Sequence, residues 1–234
     1  MSEVDHLKQI AAARALEYVT DGMRLGLGSG TTAEVFLDLL GARVRGGLNV
    51  VGVPTSERTA QKARALGIAL GNLNDLAPLD LAIDGADEST RTLDLIKGGG
   101  GALLREKVVA ASSNRMIVII HGSKLVDKLG AFPLPVEVLE FGHATTVARI
   151  KDAIAKIGFS GVPVALRRKG DAVFKTDSGN VIYDFGFGRI GDPALLSRTL
   201  SCVTGVVDHG LYVGIARICV VARESGVEII ERLE

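Results

Sequence analysis

Residues 84–107, DGADESTRTLDLIKGGGGALLREK, gather many of the groups in this chain that could move a proton or hold a polar ligand. Asp84, Asp87 and Glu88 fall within five residues, Lys97 follows, and four consecutive glycines, Gly98, Gly99, Gly100 and Gly101, lead to Arg105, Glu106 and Lys107. Glycine loses more backbone entropy on folding than any other residue, so such a run marks a sharp turn or a close approach of backbone to something else. Two readings of the acids stand side by side. An Asp-Gly turn with solvated carboxylates is the common origin of this pattern. Acids joined to a lysine and a glycine run also make either a structural ion pair or a polar site for sugar hydroxyls.

Glu106 has its own geometry. Successive residues of a helix point about 100° apart, so Arg105, Glu106 and Lys107 cannot share one solvent-facing direction. Their neighbours at 102–104 and 108–111 are apolar, and a helix apolar nearly all round is buried. At least one of the three charges must then face a polar pocket or a partner, with an ordinary ion-pair network between helices as the alternative. Position in the first turns after the glycines favours Glu106.

A second glycine-rich stretch, GLGSGTTA, spaces Gly26, Gly28 and Gly30 as G-x-G-x-G and has Thr31 where a dinucleotide fingerprint places its third glycine. Pro54, Thr55 and Ser56 stand where that fingerprint expects a ribose-binding acid, which argues against NAD. A strand, a loop of small hydroxyl residues and a helix N-terminus suit a single phosphate, held by backbone N–H groups and the hydroxyls of Ser29, Thr31 and Thr32. A tight turn with a Ser/Thr cap is the plain alternative. Further on, His121 ends an aliphatic run and is followed by Lys124, a cation for the same edge. None of the four histidines has metal or triad spacing; His209 reads as a turn or interface residue, and His6 and His143 as ordinary.

The elements that must position these groups alternate. A helix opens the chain with Asp5 as its N-cap, then a strand over 23–27, a helix to Leu40, a strand over 50–53, a helix over 56–66, a short strand over 68–70, a strand over 79–83, a helix over 102–111 and a strand over 116–120. Strands alternating with helices imply a parallel sheet with helical crossovers, whose ligands sit at the carboxyl ends of the strands. After His121 the order changes to a strand over 133–140, a helix over 145–157, strands over 162–166 and 181–185 and a helix over 193–200, a split αβ sandwich. Strands over 203–207, 218–222 and 227–230 either close this second unit or return to the first. The fold class is therefore α/β, a parallel Rossmann-like sheet with helices on both faces plus a smaller α+β, ferredoxin-like domain. The expected division is 1–130 with 207–234 as the catalytic unit and 131–206 as the smaller one.

Composition narrows the function classes. The 234 residues are 47% hydrophobic and 23% charged, as in ordinary globular proteins, with 27 basic residues against 27 acidic. Without a net cationic field, and with 4% aromatics and no tryptophan, nucleic acid is a poor partner. No apolar run reaches a membrane span and no signal peptide precedes the first helix, so a cytoplasmic location is expected, or an organelle stroma if a transit peptide has been removed. Cys202 and Cys219 both read as small core residues.

Taken together, GLGSGTTA, DGADE and KGGGGALLREK, in this order and at these separations, closely resemble the type A ribose-5-phosphate isomerase family, and HGSKLVDKLGAFPLPVEV and VVDHGL are similar to further segments of it. The resemblance covers essentially the whole chain. It implies interconversion of D-ribose 5-phosphate and D-ribulose 5-phosphate in the non-oxidative branch of the pentose phosphate pathway, with no cofactor and no metal, by a homodimer or higher oligomer. It implies Glu106 as base, with Asp84, Asp87 and Lys97 as further catalytic residues. Sugar-phosphate contacts would come from Ser29, Gly30, Thr31, Thr32, Asp84, Gly85, Ala86, Asp87, Lys97, Gly98, Gly99, Gly100 and Lys124, and from Lys8 in the first helix. The sequence departs from the family pattern at His121, where aspartate is frequent, and at Gly101 or Gly122, where alanine is. Competing readings are a sugar-phosphate-binding regulatory module on the same fold, and a deaminase or acyl-carrier transferase on a similar sheet.

Overall fold

The structure is a computed structural model that describes residues 2–232. Helix α1, Glu3–Leu16, begins one turn earlier than an Asp5 cap would set it. Ser2 is the N-cap, its hydroxyl accepting the Asp5 N–H at 3.2 Å, and Asp5 stands three residues in, reaching back to Ser2 as a capping box. The expectation for Asp5 is corrected accordingly: its side chain completes the cap rather than being the cap.

From there strands and crossover helices follow as β1 Arg24–Leu27, α2 Thr31–Arg45, β2 Val51–Pro54, α3 Glu57–Ala65, β3 Ala69–Leu70, the short α4 Leu73–Leu76 and β4 Leu81–Gly85. Helix α2 continues past Leu40 because Gly41 is buried in it: a Cβ there would lie 2.8 Å from that of Leu66, so glycine lets α2 close on the α3 end. Two-residue strands β5 Glu88–Ser89 and β6 Leu95–Ile96 precede α5 Leu103–Ala111, β7 Met116–His121 and a 3₁₀ turn at Gly122–Lys124.

The smaller unit contains β8 Leu134–Val138, α6 His143–Ala155, β9 Val164–Leu166, a hairpin of β10 Arg168–Lys169 and β11 Ala172–Val173, β12 Val181–Phe185, α7 Pro193–Ser201 and β13 Val206–His209. Its antiparallel sheet has the order β13-β8-β12-β9. With the hairpin set aside, strand–helix–strand–strand–helix–strand in this spatial order is the ferredoxin-like arrangement. The expected strand over 203–207 lies slightly later in the chain, so the expected break at 206–207 falls inside β13.

The chain returns through β14 Leu211–Tyr212, β15 Ile218–Arg223 and β16 Gly226–Glu231. Strands β15 and β16 complete a seven-stranded sheet of order β16-β15-β7-β4-β1-β2-β3, parallel except for the β15–β16 hairpin. Because side chains alternate along a strand, its central members feed two cores. Ile83, Ile117 and Ile119 pack with α1 and α2 residues such as Leu7 and Phe36, while Ala82, Met116, Val118 and Ile120 pack with Ala110 of α5 and with Leu95 and Tyr212. Helices thus cover both faces. Strand β14 pairs with β6, and β6 with β5; the Lys97 N–H donates to Gly210 O at 2.9 Å. This small three-stranded sheet ties the start of the glycine run to the chain returning from the smaller unit.

Cys219 is buried as expected, but Cys202, the C-cap of α7, is exposed, which corrects its reading as a core residue. A helix C-terminus at the surface leaves its cap in solvent. Among the described residues no helix is long and apolar enough to cross a membrane.

Candidate active site

The carboxyl ends of β1, β4 and β7 lie side by side, and Asp84 at the end of β4 is the pivot between them. Its Oδ1 accepts the Ser29 N–H at 3.0 Å and the Gly85 N–H at 2.7 Å, and its Oδ2 accepts from Lys97 Nζ at 2.9 Å. Glycine at position 28 permits this contact, since a Cβ there would fall 2.2 Å from Asp84 Oδ1. Lys97, 3% exposed, directs protons at Asp84 and at Gly85 O, the latter at 2.7 Å, and its ammonium lies 3.1 Å from Glu106 Oε2 as an ion pair. Its ammonium also lies 5.4 Å from the centre of the Tyr212 ring, whose hydroxyl donates to Leu103 O at 2.7 Å.

Leu103 opens α5, so Tyr212 braces the helix that carries Glu106. The three consecutive charges on this helix diverge as the helical step requires. Arg105 pairs with Glu57 at 2.9 Å near the surface, Lys107 donates to Asp208 and to His209 O, and Glu106 turns toward Lys97. Glu106 is 5% exposed, and its Oε2 makes an ion pair with Lys97 but has no directed hydrogen bond. Burial pushes the Glu106 carboxyl up to about 7, against the pull of Lys97 and with help from nearby Asp84. Burial works against the Lys97 charge too, but Asp84 and Glu106 outweigh it and raise the ammonium, which stays cationic.

At the other end of the site α2 starts without a side-chain cap. Its N-cap is Gly30, with φ of +88°, and the first helical bond runs from the Glu34 N–H to Gly30 O. The preceding N–H groups of the first turn, at Thr31, Thr32 and Ala33, have no intrahelical acceptor, the arrangement that receives an anion. Lys8 from α1 and Lys124 from the 3₁₀ turn line the same cleft, as does His121. Burial, with Lys124 and Lys8 nearby, lowers the His121 pKa. Ser29 is differently occupied. Its hydroxyl meets those of Thr55 at 2.7 Å, Ser56 at 3.0 Å and Thr59 at 3.1 Å, so what this loop offers an anion is backbone N–H together with Thr31 and Thr32.

Between these ends lies a cleft of about 600 Å³, open mouth included, within the usual range for small-ligand sites. The structure brings Lys8, Ser29, Gly30, Thr31, Thr32, Gly85, Ala86, Asp87, Lys97, Gly98, Gly99, Gly100, Glu106 and Lys124 into its wall and adds Ile120 and His121. Asp84 does not line it; it stands behind Lys97, 4% exposed, its oxygens filled by protein donors. Asp87 reaches the wall and accepts the Gly99 N–H at 2.8 Å. Glu88 is buried instead of solvated, accepting the Gly130 and Phe132 N–H groups at 2.7 and 2.6 Å. His209, at a position read as turn or interface, is 1% exposed beside Ser197 and Ser201 of α7, and burial, with Lys107 near, takes its pKa down to about 4.

Two contributors were not anticipated. The hydroxyl cluster of Thr55, Ser56 and Thr59 follows from β2 being the parallel neighbour of β1, a pairing no local pattern records. Arg167 donates to Gly98 O and Gly99 O from the smaller unit, 69 and 68 residues away in the chain. It sits in an Arg-Arg-Lys run that reads as an ordinary solvated face. Among the described residues no group of three or more His, Cys, Asp or Glu side chains could hold a metal ion.

A buried carboxyl group with a pKa in the neutral range, an ammonium fixed beside it and an uncapped helix N-terminus across the cleft, all at the carboxyl edge of a Rossmann-like sheet, fit an isomerase of phosphorylated sugars. The comparisons with known proteins are specific. Ribose 5-phosphate isomerase A (phosphoriboisomerase A), as a family, matches residues 51–226. Ribose-5-phosphate isomerase A of Brucella suis biovar 1 is 53% identical over 99% of this chain and 100% of its own length, and that of Rhodopseudomonas palustris strain BisB18 is 56% identical over 97% and 98%. Among solved structures, ribose 5-phosphate isomerase from Plasmodium falciparum superposes with a TM-score of 0.93 at 36% identity, covering 98% of this chain and 100% of that one. A D-ribose-5-phosphate isomerase in complex with phospho-erythronic acid gives 0.92 at 35%, covering 99% and 100%. The chain belongs to the ribose 5-phosphate isomerase A family. A regulatory module on the same fold is not favoured, since these full-length matches are isomerases.

Proposed function

We propose that this protein interconverts D-ribose 5-phosphate and D-ribulose 5-phosphate through a cis-enediol(ate), with Glu106 as the single proton carrier. The observation that carries the proposal is the Glu106 carboxyl, buried at the cleft wall with a pKa of about 7 and an oxygen free of directed hydrogen bonds. A base poised near the working pH both takes and returns a proton efficiently. In the open-chain aldose, Glu106 removes the proton on C2 while negative charge develops on the C1 oxygen. The resulting carboxylic acid delivers the proton to C1 as the C2 hydroxyl passes its own proton to the C1 oxygen and becomes the carbonyl. One base on one face suffices for both transfers.

Lys97 acts through its field, because two of its protons are directed at Asp84 and Gly85 O and the ammonium is held as an ion pair with Glu106. Asp84 acts through Lys97, holding it against Glu106, whereas Asp87 reaches the cleft and orients sugar hydroxyls, including during opening of the furanose ring. The phosphate sits on the first turn of α2 with Lys8 and Lys124 as counter-charges. Residues 1–130 with 207–234 form the catalytic unit of this proposal and 131–206 the smaller one, with β13 crossing the division. The same reading takes the enzyme as cytoplasmic and at least dimeric. An exposed free thiol at Cys202 suits a reducing compartment, and the exposed Leu139 and Phe141 with Val207 of the adjoining strand suit a subunit contact.

The test is formation of ribulose 5-phosphate from ribose 5-phosphate by purified protein with a chelator present. Conversion is expected, with unphosphorylated ribose a very poor substrate and inorganic phosphate a competitive inhibitor. Equal turnover of ribose and its 5-phosphate would remove the phosphate assignment, and no conversion would remove the isomerase.

A further inference from the structure

The smaller unit reaches the glycine run of the active site through Arg167. Arg167, between β9 and β10, forms a two-pronged pair with Asp184 of β12, its Nε donating to Oδ2 at 2.9 Å and its second prong to Oδ1. Its remaining terminal nitrogen donates to Gly98 O at 2.8 Å and to Gly99 O at 3.2 Å. The guanidinium is thereby held by Asp184 and spends its free edge on two successive carbonyls of the glycine run. Phe174, whose ring centre is 6.0 Å from the guanidinium carbon, closes the run from beyond: a Cβ on Gly101 would fall 2.4 Å from its Cζ.

In a trans peptide the N–H points opposite to the preceding C=O. With Gly98 O drawn to Arg167, the Gly99 N–H leaves on the other side, where it donates to Asp87. With Gly99 O drawn to the same nitrogen, the Gly100 N–H also leaves on the far side, and among the described residues it meets no protein acceptor. Gly100 lies in the cleft wall together with Asp87 and Glu106. The run closes one bond of its own, from the Gly101 N–H to Gly98 O at 3.0 Å, but a turn closed in this way still leaves its central peptide, Gly99 C=O with Gly100 N–H, two orientations; something outside it must select the one that turns the N–H toward a developing oxyanion and the carbonyl away from it.

We propose that Arg167 is a positioning residue for the isomerisation: by binding the carbonyls of Gly98 and Gly99 it sets the peptide planes so that the Gly100 N–H faces the enediolate oxygen. The inference rests on the isomerase reading above and gives the smaller unit a part in the chemistry. Removing one oxyanion-hole donor outright lowers kcat by about 10² to 10³. Releasing a donor from its fixed orientation forfeits part of that, so Arg167→Ala is expected to lower kcat by about 10- to 100-fold.

Inorganic phosphate provides the control, because its cradle is on α2 and makes no use of Arg167. Its inhibition constant is expected to stay within about twofold of wild type in Arg167→Ala, separating lost transition-state stabilisation from general damage. Arg167→Lys keeps a charge but cannot fork across Asp184 and two carbonyls, so its kcat is expected to remain close to that of the alanine variant. Wild-type turnover tests the isomerase reading by itself, and the variant-to-wild-type kcat ratio tests Arg167. A kcat near wild type in either variant, or a phosphate inhibition constant that weakens in step with kcat, would overturn the assignment. If Arg167→Ala does not fold, Asp184→Asn carries the same test, because it leaves the guanidinium but removes half of its brace. A lowered kcat with unchanged phosphate inhibition then supports the role, and an unchanged kcat refutes it.

Discussion

Replacing Glu106 by glutamine should produce an enzyme that is nearly inactive and, above neutral pH, more stable than the parent. The substitution keeps shape and removes the ionisable proton carrier, so kcat should fall by at least the 10²- to 10⁴-fold associated with general-base catalysis. The stability effect follows from burial. In the folded protein the carboxyl group titrates at about 7 instead of 4.5. Between those values the folded state retains a proton that the unfolded chain has released, so wild-type stability falls as pH rises through this window and levels off above about 7. At about 1.4 kcal/mol per pKa unit, the loss amounts to about 3 kcal/mol. Lys97 adds no drift in this range: its folded pKa is raised above 10.5, so its contribution is complete throughout. Asp84 remains in both proteins. Denaturant unfolding of wild type and Glu106→Gln at about pH 5 and about pH 8 should therefore show the variant gaining on the parent by about 2 to 3 kcal/mol between the two conditions. A stability difference independent of pH would refute the burial account, and a kcat within about threefold of wild type would remove Glu106 as the base.

Other outcomes are as direct. Plotted against pH, kcat/KM should fall about tenfold per unit below about pH 7 as Glu106 takes up its proton; a profile flat down to about pH 5.5 would contradict the role. Lys124→Ala should raise KM for ribose 5-phosphate and weaken inhibition by phosphate by about 10-fold while changing kcat less, as loss of uniform binding requires, and steady-state kinetics will show whether the effect falls on kcat instead. Gly28→Ala forces a Cβ to within 2.2 Å of Asp84 Oδ1; overpacking of about 1 to 3 kcal/mol should lower the melting temperature by about 2 to 12 °C, and an unchanged melting curve would show that β1 and β4 are free to separate. A thiol reagent should titrate Cys202 in the native protein and both cysteines after unfolding, since burial takes the Cys219 thiol up to about 12.

The large sheet was legible because its signal is local: aliphatic runs such as 116–120 alternate with helices, and strands such as β1, β3 and β4 end at a glycine or an acid. The ferredoxin-like order of the smaller unit was legible for the same reason. Strands β5, β6 and β14, two residues each, carry too little pattern to be seen and exist because pairing with one another covers the chain between β4 and α5. In the site, residue type and chain position identified the groups but not their depth. Asp84 and Asp87 are three residues apart, yet one is an internal brace and the other reaches the cleft; the difference arises at Gly28, in the loop that follows β1. Glu88 looked solvated because its donors, the Gly130 and Phe132 N–H groups, lie 42 and 44 residues further on. Arg167 was invisible for a like reason, since the carbonyls it holds lie 69 and 68 residues earlier in the chain.

On the proposed function, the missing cap at the start of α2 couples substrate binding to the stability of the enzyme. A 15-residue helix whose N-cap is Gly30, with no side-chain hydrogen bond, is left incomplete by its own sequence. On the proposed function, a sugar phosphate seated there would finish the helix and bind only the native state, raising the unfolding free energy by RT ln(1 + [L]/Kd), about 2.7 kcal/mol at a hundredfold excess over Kd. On that reading, protein without bound pentose phosphate is expected to open to proteases more often than protein with it.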